Sequence, residues 1–418
     1  MKPLIFKGET FSERSRRNLL ILEAIRRLGP ITKADISRIA GVNVVTISNY
    51  IDYYLKTKLV STRELDVSSG GRRPTLLELN ADTVLSIGLG LNLVDMVGVL
   101  VNLKGDMIGR ASRVRPQASQ AFEINDIIDS AESIIRELLG KIPPSDKEKI
   151  RGIGIGIAGV RDNENNNLRW PEKIPDGSCR YVSLYLPLKD IIEKKFGLPC
   201  ILENDATVAC FGEQWMNRES LAENLIYMFS GVGSGLILNG EVYRGATGNA
   251  GEVSLNFDKV VKNEFLNSKM SDSYFLRPWE DDLGIIRNTR KALEKWANRN
   301  SHILALVEGK PENITLPIIF EAVQQKDRLA LEITREAGCW LGIKIAFLVN
   351  LLNPQMVVIG GGMEEAGSEF LEAVKETVSD LAFAETANAV KIVPSKLGRN
   401  AISLGAASLI IRKTFADI

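Results

Sequence analysis

Thr46, Ser48 and Asn49 lie close together in a helical stretch. Short hydrogen-bonding side chains of this kind reach base edges when a helix enters the major groove of DNA. Asn43 sits in the turn just before them. Downstream, Gly70-Gly71-Arg72-Arg73 sets two guanidinium groups beside two glycines. Such a tip can approach a nucleic-acid backbone closely, and its arginines suit phosphates or a narrow A·T-rich minor groove. Asp205 offers different chemistry, a carboxylate able to accept a proton from a hydroxyl. Phosphoryl transfer to an alcohol needs such a base, together with backbone amides and a metal-binding group for the nucleotide phosphates. The single histidine, His302, excludes any catalytic or metal plan that needs two, and its neighbours Arg299-Asn300-Ser301 read as a polar surface segment. The four cysteines, Cys179, Cys200, Cys210 and Cys339, form no C-x-x-C pair, so they suggest neither a disulfide framework nor a cysteine zinc site and are expected to be small packing residues.

The candidate DNA-reading residues need a scaffold, and the pattern around them supplies one. From Ser12 to Leu28, apolar Leu19, Leu22, Ile25 and Leu28 recur at three- and four-residue spacing, which predicts a helix stopped by Gly29-Pro30. Thr32, with Asp35 three residues on, predicts the capped start of a second helix ending at Gly41. A third helix is expected from Val44 to about Lys56, with Ile47, Ile51 and Tyr54 or Leu55 inward and the polar residues outward. Leu59-Val60-Ser61-Thr62-Arg63 and Thr75-Leu76-Leu77-Glu78-Leu79 read as two strands flanking the Arg72-Arg73 tip. Three helices followed by a hairpin make a winged helix-turn-helix.

Charge agrees with that assignment. Residues 1–80 hold fourteen Lys/Arg against eight Asp/Glu, a net +6, whereas the whole chain balances 52 basic against 52 acidic residues. The body is therefore acidic, and a basic first fifth on such a body is the pattern of a terminal nucleic-acid-binding module. The length of 418 residues predicts two or three domains. With 45% hydrophobic and 25% charged residues and no long apolar run, the composition is that of a soluble globular protein with no membrane role. The start is not a secretory signal, so a cytoplasmic location is expected.

The remainder reads as α/β. Three short apolar runs, at residues 84–91, 96–101 and 106–110, predict an antiparallel meander. A helix from about Ile124 to Leu139, a glycine-alternating buried strand at 150–159, a helix near 186–196 and a strand at 200–203 follow. A second set opens with a strand at 225–230, turns through Gly231-Val232-Gly233-Ser234-Gly235 and returns as a strand over 236–243. The repeated order of strand, glycine turn, strand predicts two similar lobes around a cleft.

Three motifs, Leu202-Glu203-Asn204-Asp205-Ala206, Gly245-Ala246-Thr247-Gly248-Asn249-Ala250-Gly251-Glu252 and Val357-Val358-Ile359-Gly360-Gly361-Gly362, occur in an order and spacing that resemble the ROK family, where they serve sugar, sugar and adenosine. With the winged helix in front, the resemblance covers nearly the whole chain and is to the repressor branch that includes the xylose and N-acetylglucosamine regulators. It implies a two-lobed, actin-like (ribonuclease-H-like) ATPase fold over residues 81–418, behind a DNA-binding domain at 1–80. It also implies that Asn204, Asp205 and Glu252 bind a sugar.

The same resemblance marks departures. ROK kinases carry Asp-x-Gly-Gly-Thr after the first strand, and this chain has Gly88-Leu89-Gly90-Leu91-Asn92-Leu93. The acid that helps place magnesium is gone, and Leu91 and Leu93 are expected to crowd a phosphate. The histidine expected three residues after Glu252 is Leu255, and no Cys-x-Cys-Gly run follows, so no zinc is expected. Glu280, in Pro278-Trp279-Glu280, is an acid further along the chain that offers a candidate to compensate for that loss. The expectation is a regulator without catalytic residues, cofactor or metal, bound to operator DNA and a sugar effector. A homodimer or homotetramer is expected, with the helix from Glu332 to Leu352 as one apolar interface. The alternative is an ATP-dependent sugar kinase with an accessory DNA-binding domain and Asp205 as its base.

Overall fold

The computed structural model describes residues 4–63, 75–91, 95–114, 124–157, 159–161, 168–173, 181–217, 222–229, 233–253, 283–295 and 300–418. A short strand, β1 (Ile5–Phe6), precedes helices α1 (Glu13–Leu28), α2 (Lys33–Ala40) and α3 (Val44–Lys56) and the antiparallel pair β2 (Val60–Arg63) and β3 (Leu76–Leu79). Each helix begins on the side chain of its cap. Ser12 accepts from the Ser15 amide, Thr32 from Asp35, and Asn43 from Thr46, at 3.0, 3.1 and 2.8 Å. Thr32 also donates to Asp35 at 2.7 Å, closing the capping box read from the sequence. Gly41 ends α2 at φ 65°, a left-handed conformation that glycine adopts without penalty. Ile36, Ile47, Ile51 and Tyr54 are buried between the helices.

The first lobe follows as β4 (Leu85–Leu91), β5 (Asp95–Asn102), β6 (Met107–Val114), α4 (Ile124–Gly140), β7 (Ile150–Ile157), β8 (Val160–Arg161), β9 (Leu168–Lys173), β10 (Tyr181–Leu186), α5 (Leu188–Phe196), β11 (Cys200–Asn204) and α6 (Asp205–Met216). The second comprises β12 (Leu225–Phe229), β13 (Gly233–Leu238), β14 (Glu241–Val242), α7 (Ile285–Leu293), α8 (His302–Leu306), α9 (Leu316–Gln324), α10 (Arg328–Leu352), β15 (Met356–Gly360), α11 (Ser368–Leu381), α12 (Ala384–Ala389) and β16 (Lys391–Pro394). The chain then returns through α13 (Ala401–Asp417) to pack on β4, β7 and α6. The main sheets run β11-β7-β4-β5-β6 and β1-β14-β13-β12-β15-β16. In both, three consecutive antiparallel strands carry two parallel strands on the far side. That repeat is the two-lobed fold expected from the repeated strand and turn order.

One correction concerns the return strand of the second lobe. It is not continuous over residues 236–243, because Asn239 and Gly240, at φ 55° and 77°, make a tight turn between β13 and β14. Positive φ at both central residues is the hairpin geometry that matches strand twist, and the Asn-Gly pair encodes it. The glycines of β4 and β7 have a packing role. Gly88 and the facing Gly154 of β7 let α13 lie directly on the sheet, since a Cβ on either would fall about 2 Å from a helix carbonyl, Ser403 O at 1.9 Å and Ala406 O at 2.0 Å. Leu91 packs into the first-lobe core; Asn92 and Leu93 lie outside the described residues.

A single hydrophobic core runs from the N-terminal helices into the body. Leu22, Ile25, Ile36, Ile51 and Tyr54 belong to the same cluster as Phe211, Trp215, Leu409 and Phe415. β1 adds parallel to β14 at the edge of the second sheet, pairing Ile5 with Glu241 and Phe6 with Val242. Among the described residues, no helix is long and apolar enough to cross a membrane.

Candidate functional site

Asn204 ends β11 and caps α6, its Oδ1 accepting from the Thr207 amide and its Nδ2 donating to the Gly159 carbonyl, both at 3.0 Å. The cap fixes where Asp205, the first residue of α6, presents its carboxylate. Asp205 is 6% exposed and accepts from the Ala206 amide at 2.8 Å. Burial nevertheless pushes its carboxyl up to about 6, because the hydrogen bonds from Ala206 and Asn204 only partly offset lost hydration. Glu252 comes from the other lobe. Its loop is pinned to β13 by Ser234, whose amide and Oγ both donate to the Gly251 carbonyl, at 2.7 and 2.9 Å. Desolvation of the carboxyl, followed by the Asp205 charge, raises Glu252 to about 7. Its side chain remains open to solvent, which screens part of that effect. The structure therefore brings the three predicted sugar ligands into one region, where the Asp205 charge is felt by the Glu252 carboxyl. Such a pair accepts hydrogen bonds from hydroxyls of a neutral polyol without requiring a counterion.

Arg244, at the start of the Glu252 loop, ion-pairs with buried Glu203, the neighbour of Asn204. The third motif lies elsewhere on the second lobe. Gly360 is required by packing, since a Cβ there would fall 1.9 Å from the Tyr227 hydroxyl. The following turn is occupied by protein, with the Gly362 amide donating to Glu364 at 2.8 Å. Burial pushes Glu364 up to about 6 and raises Glu213, which accepts from Ser395 Oγ and from the Leu397 amide.

At the N-terminal module, Asn49 is exposed and Thr46 and Ser48 are half-buried near the start of α3. Asn43, predicted to meet DNA, commits its side-chain oxygen to capping α3. Arg72, Arg73, Leu255 and Glu280 lie outside the described residues, as do residues 230–232 of the glycine turn and Cys179. Cys200 and Cys210 are buried, in keeping with packing roles.

Sequence reasoning missed two groups of residues. Val44 and Val45, 47% and 73% exposed at the first turn of α3, are apolar side chains on an otherwise polar surface. They carry no role in the sequence reading, although the inward positions Ile47, Ile51 and Tyr54 already imply that they face out. The other group is Phe6, Arg26 and Arg27, which join the N-terminal module to the body. Arg27 donates to the Gln214 carbonyl at 3.1 Å and Arg26 to the Trp215 carbonyl, with the Arg26 guanidinium 4.5 Å from the Trp215 ring centre. Burial opposes the Glu23 charge between them, but the two arginines outweigh it and hold that carboxyl below its usual range. Nothing local in the sequence marks contacts across nearly two hundred residues.

The model of the ROK family matches residues 89–256 and 288–413 of the chain. The xylose repressor of Caldicellulosiruptor bescii is 28% identical over 412 residues, covering 94% of each chain. The xylose repressor of Bacillus subtilis is 26% identical over 405 residues and covers 96% of each. Among solved structures, a ROK family transcriptional regulator, homolog of the E. coli MLC protein, aligns with a TM-score of 0.67 at 20% identity over 97% of this chain and 96% of that one. A ROK family glucokinase from Streptomyces griseus, in complex with glucose and AMPPNP, aligns with a TM-score of 0.63 at 24% identity over 78% of this chain and 98% of its own. The likeness to the regulator spans the whole architecture, whereas the glucokinase matches a chain shorter by about the N-terminal module.

Proposed function

The chain belongs to the ROK family, and on that premise we propose that it is a sugar-responsive, DNA-binding transcription repressor whose kinase-like body binds its effector without phosphorylating it. The observation that carries this reading is the union, in one hydrophobic core, of a capped three-helix unit and a two-lobed body in which the Asp205 charge reaches Glu252. Residues 1–80 are the DNA-binding unit and 81–418 the sensor. Thr46, Ser48 and Asn49 read base edges, exposed Val45 meets thymine methyl groups, and Arg72 and Arg73 hold the backbone or minor groove at the wing. Asn204, Asp205 and Glu252 take the sugar hydroxyls. The whole-length relatives named as xylose repressors make D-xylose the first sugar to test.

Exposed Phe347 and Leu351 on α10, with Leu381 at the end of α11 and Phe383 just beyond it, form the apolar surface through which the chain pairs as a homodimer or homotetramer in the cytoplasm. Two winged helices then read two half-sites, and sugar binding between the lobes changes their spacing. Against phosphorylation stand the absent acid of the first loop and the two desolvated acids, Glu213 and Glu364, beside the Gly360-Gly361-Gly362 turn, where an anionic nucleotide would bind. In favour of the kinase reading stands Asp205, whose carboxyl at about 6 suits a general base. A thermal-shift screen of pentoses and hexoses, each with and without Mg-ATP, separates the two. A ligand at 100 times its dissociation constant stabilises by about 2.7 kcal/mol. A shift that ignores Mg-ATP is expected; a shift that requires it, or release of ADP, would assign a kinase.

A further inference from the structure

Three segments meet at Arg244. Its backbone begins the loop that ends in Glu252, its guanidinium pairs with Glu203 next to Asn204, and the same guanidinium lies 3.8 Å from the ring centre of Phe6. Phe6 belongs to β1, the strand that leads into α1 and the DNA-binding unit. The opposite flank of that strand is fixed as well, because Arg412 of α13 lies 5.0 Å from the Phe6 ring centre and forms a two-pronged ion pair with Glu9, both contacts at 2.7 Å. Phe6 also stacks on Phe211 of α6 at 5.7 Å, and Phe211 stacks on Trp215 at 5.4 Å.

Helix α6 provides a second connection between the same two places. Its first turn carries Asn204 and Asp205, and its last turn presents the carbonyls of Gln214 and Trp215 to Arg27 and Arg26 of α1. A helix of this length moves as a rigid unit, so a tilt imposed at its first turn displaces the carbonyls at its last. The arginines are tied to Glu23 within α1, so α1 follows as a unit or two buried guanidinium groups lose their carbonyl acceptors.

We infer that Arg244 and the Arg26–Arg27 pair are the positioning residues that carry sugar occupancy from the Asn204–Asp205–Glu252 cleft to the DNA-binding helices. Arg244 acts through Phe6 and the N-terminal strand, and the pair acts through α6. Neither site touches sugar or DNA. The inference rests on the function proposed above, and it adds that the response depends on these contacts.

The test uses the full-length chain, its Arg244→Lys and Arg27→Lys variants and the double variant. Lysine keeps each charge but lacks the planar, forked guanidinium that stacks on Phe6 and reaches the Gln214 carbonyl. A fluorescent duplex selected from random DNA by the wild-type chain is titrated with and without saturating D-xylose, and again with D-glucose. Sugar and DNA affinities are also measured separately, along with the melting temperature. Coupling between two sites is typically about 5- to 150-fold. In the double variant the ratio of DNA affinities with and without sugar should fall to within about twofold of unity, while each separate affinity stays within about threefold of wild type. A double variant that keeps the wild-type ratio overturns the inference, and so does a lowered melting temperature accompanied by an unchanged ratio. If neither sugar alters DNA affinity of the wild-type chain, the proposed function fails first and the inference falls with it, a result distinct from a wild type and a double variant that respond equally.

Discussion

The two ends of α6 carry polar groups in opposite conditions. At the last turn the Gln214 and Trp215 carbonyls accept from Arg27 and Arg26, and both arginines also pair with Glu23. At the first turn Asp205 is just as enclosed, but its own shift has no cation among its causes within the described residues, and its charge raises the like-charged Glu252. One end is therefore a finished structural joint. The other holds desolvated acceptors that a ligand rich in hydroxyls can satisfy, which is how a binding site differs from a buried ion pair at similar burial.

The largest expected effect lies at the finished end. Arg26→Ala leaves Glu23 buried with half of its compensation and removes the guanidinium from the Trp215 face, so denaturant unfolding should show a loss of roughly 3–5 kcal/mol. A loss below about 1 kcal/mol would mean that the joint is solvated and that the comparison fails.

A smaller effect of opposite sign is expected at the first turn. The folded-state value of Asp205, about 6, lies above the usual carboxylate value of 3.8. Below the unfolded value both states are protonated and nothing is lost. As pH rises toward and through 6 the unfolded chain releases its proton more readily, so the sugar-free protein loses stability across that window. Asp205→Asn removes the ionisation while keeping an acceptor for the Ala206 amide. It should therefore be more stable than wild type by about 2–3 kcal/mol at pH 8, with the difference vanishing near pH 4. Unfolding curves that stay parallel at every pH would show that the carboxyl is not desolvated.

Local chemistry was legible wherever sequence neighbours create it. The Thr32 and Asp35 capping box, the inward face of Ile47, Ile51 and Tyr54, and the antiparallel meander of β4 to β6 all depend on short-range periodicity. The Asn204-Asp205 pair was legible as a motif, and its architecture explains it, since the amide caps the helix that aims the acid. Glycine was misleading. Gly88 in the run that stands where ROK kinases carry the phosphate loop, and Gly360 in the third motif, have packing reasons, against α13 and Tyr227, that appear only when the far end of the chain is in place. The tight turn at Asn239 and Gly240 was readable from its residue pair and was passed over for a longer apolar run. The pairing of β1 with β14 had no local signal at all, because a two-residue strand is defined by its partner more than two hundred residues away.

The central claim is that occupancy of the Asp205 cleft alters the grip on DNA. Its most direct test is DNA affinity of the wild-type chain and of Asp205→Asn, measured by fluorescence anisotropy at pH 7.5 with and without the sugar named by thermal shift. A sugar-dependent change of about fivefold or more in the wild type, absent in a variant that binds DNA equally well without sugar, is the predicted result. A variant that responds like the wild type would place the effector outside this cleft and contradict the account.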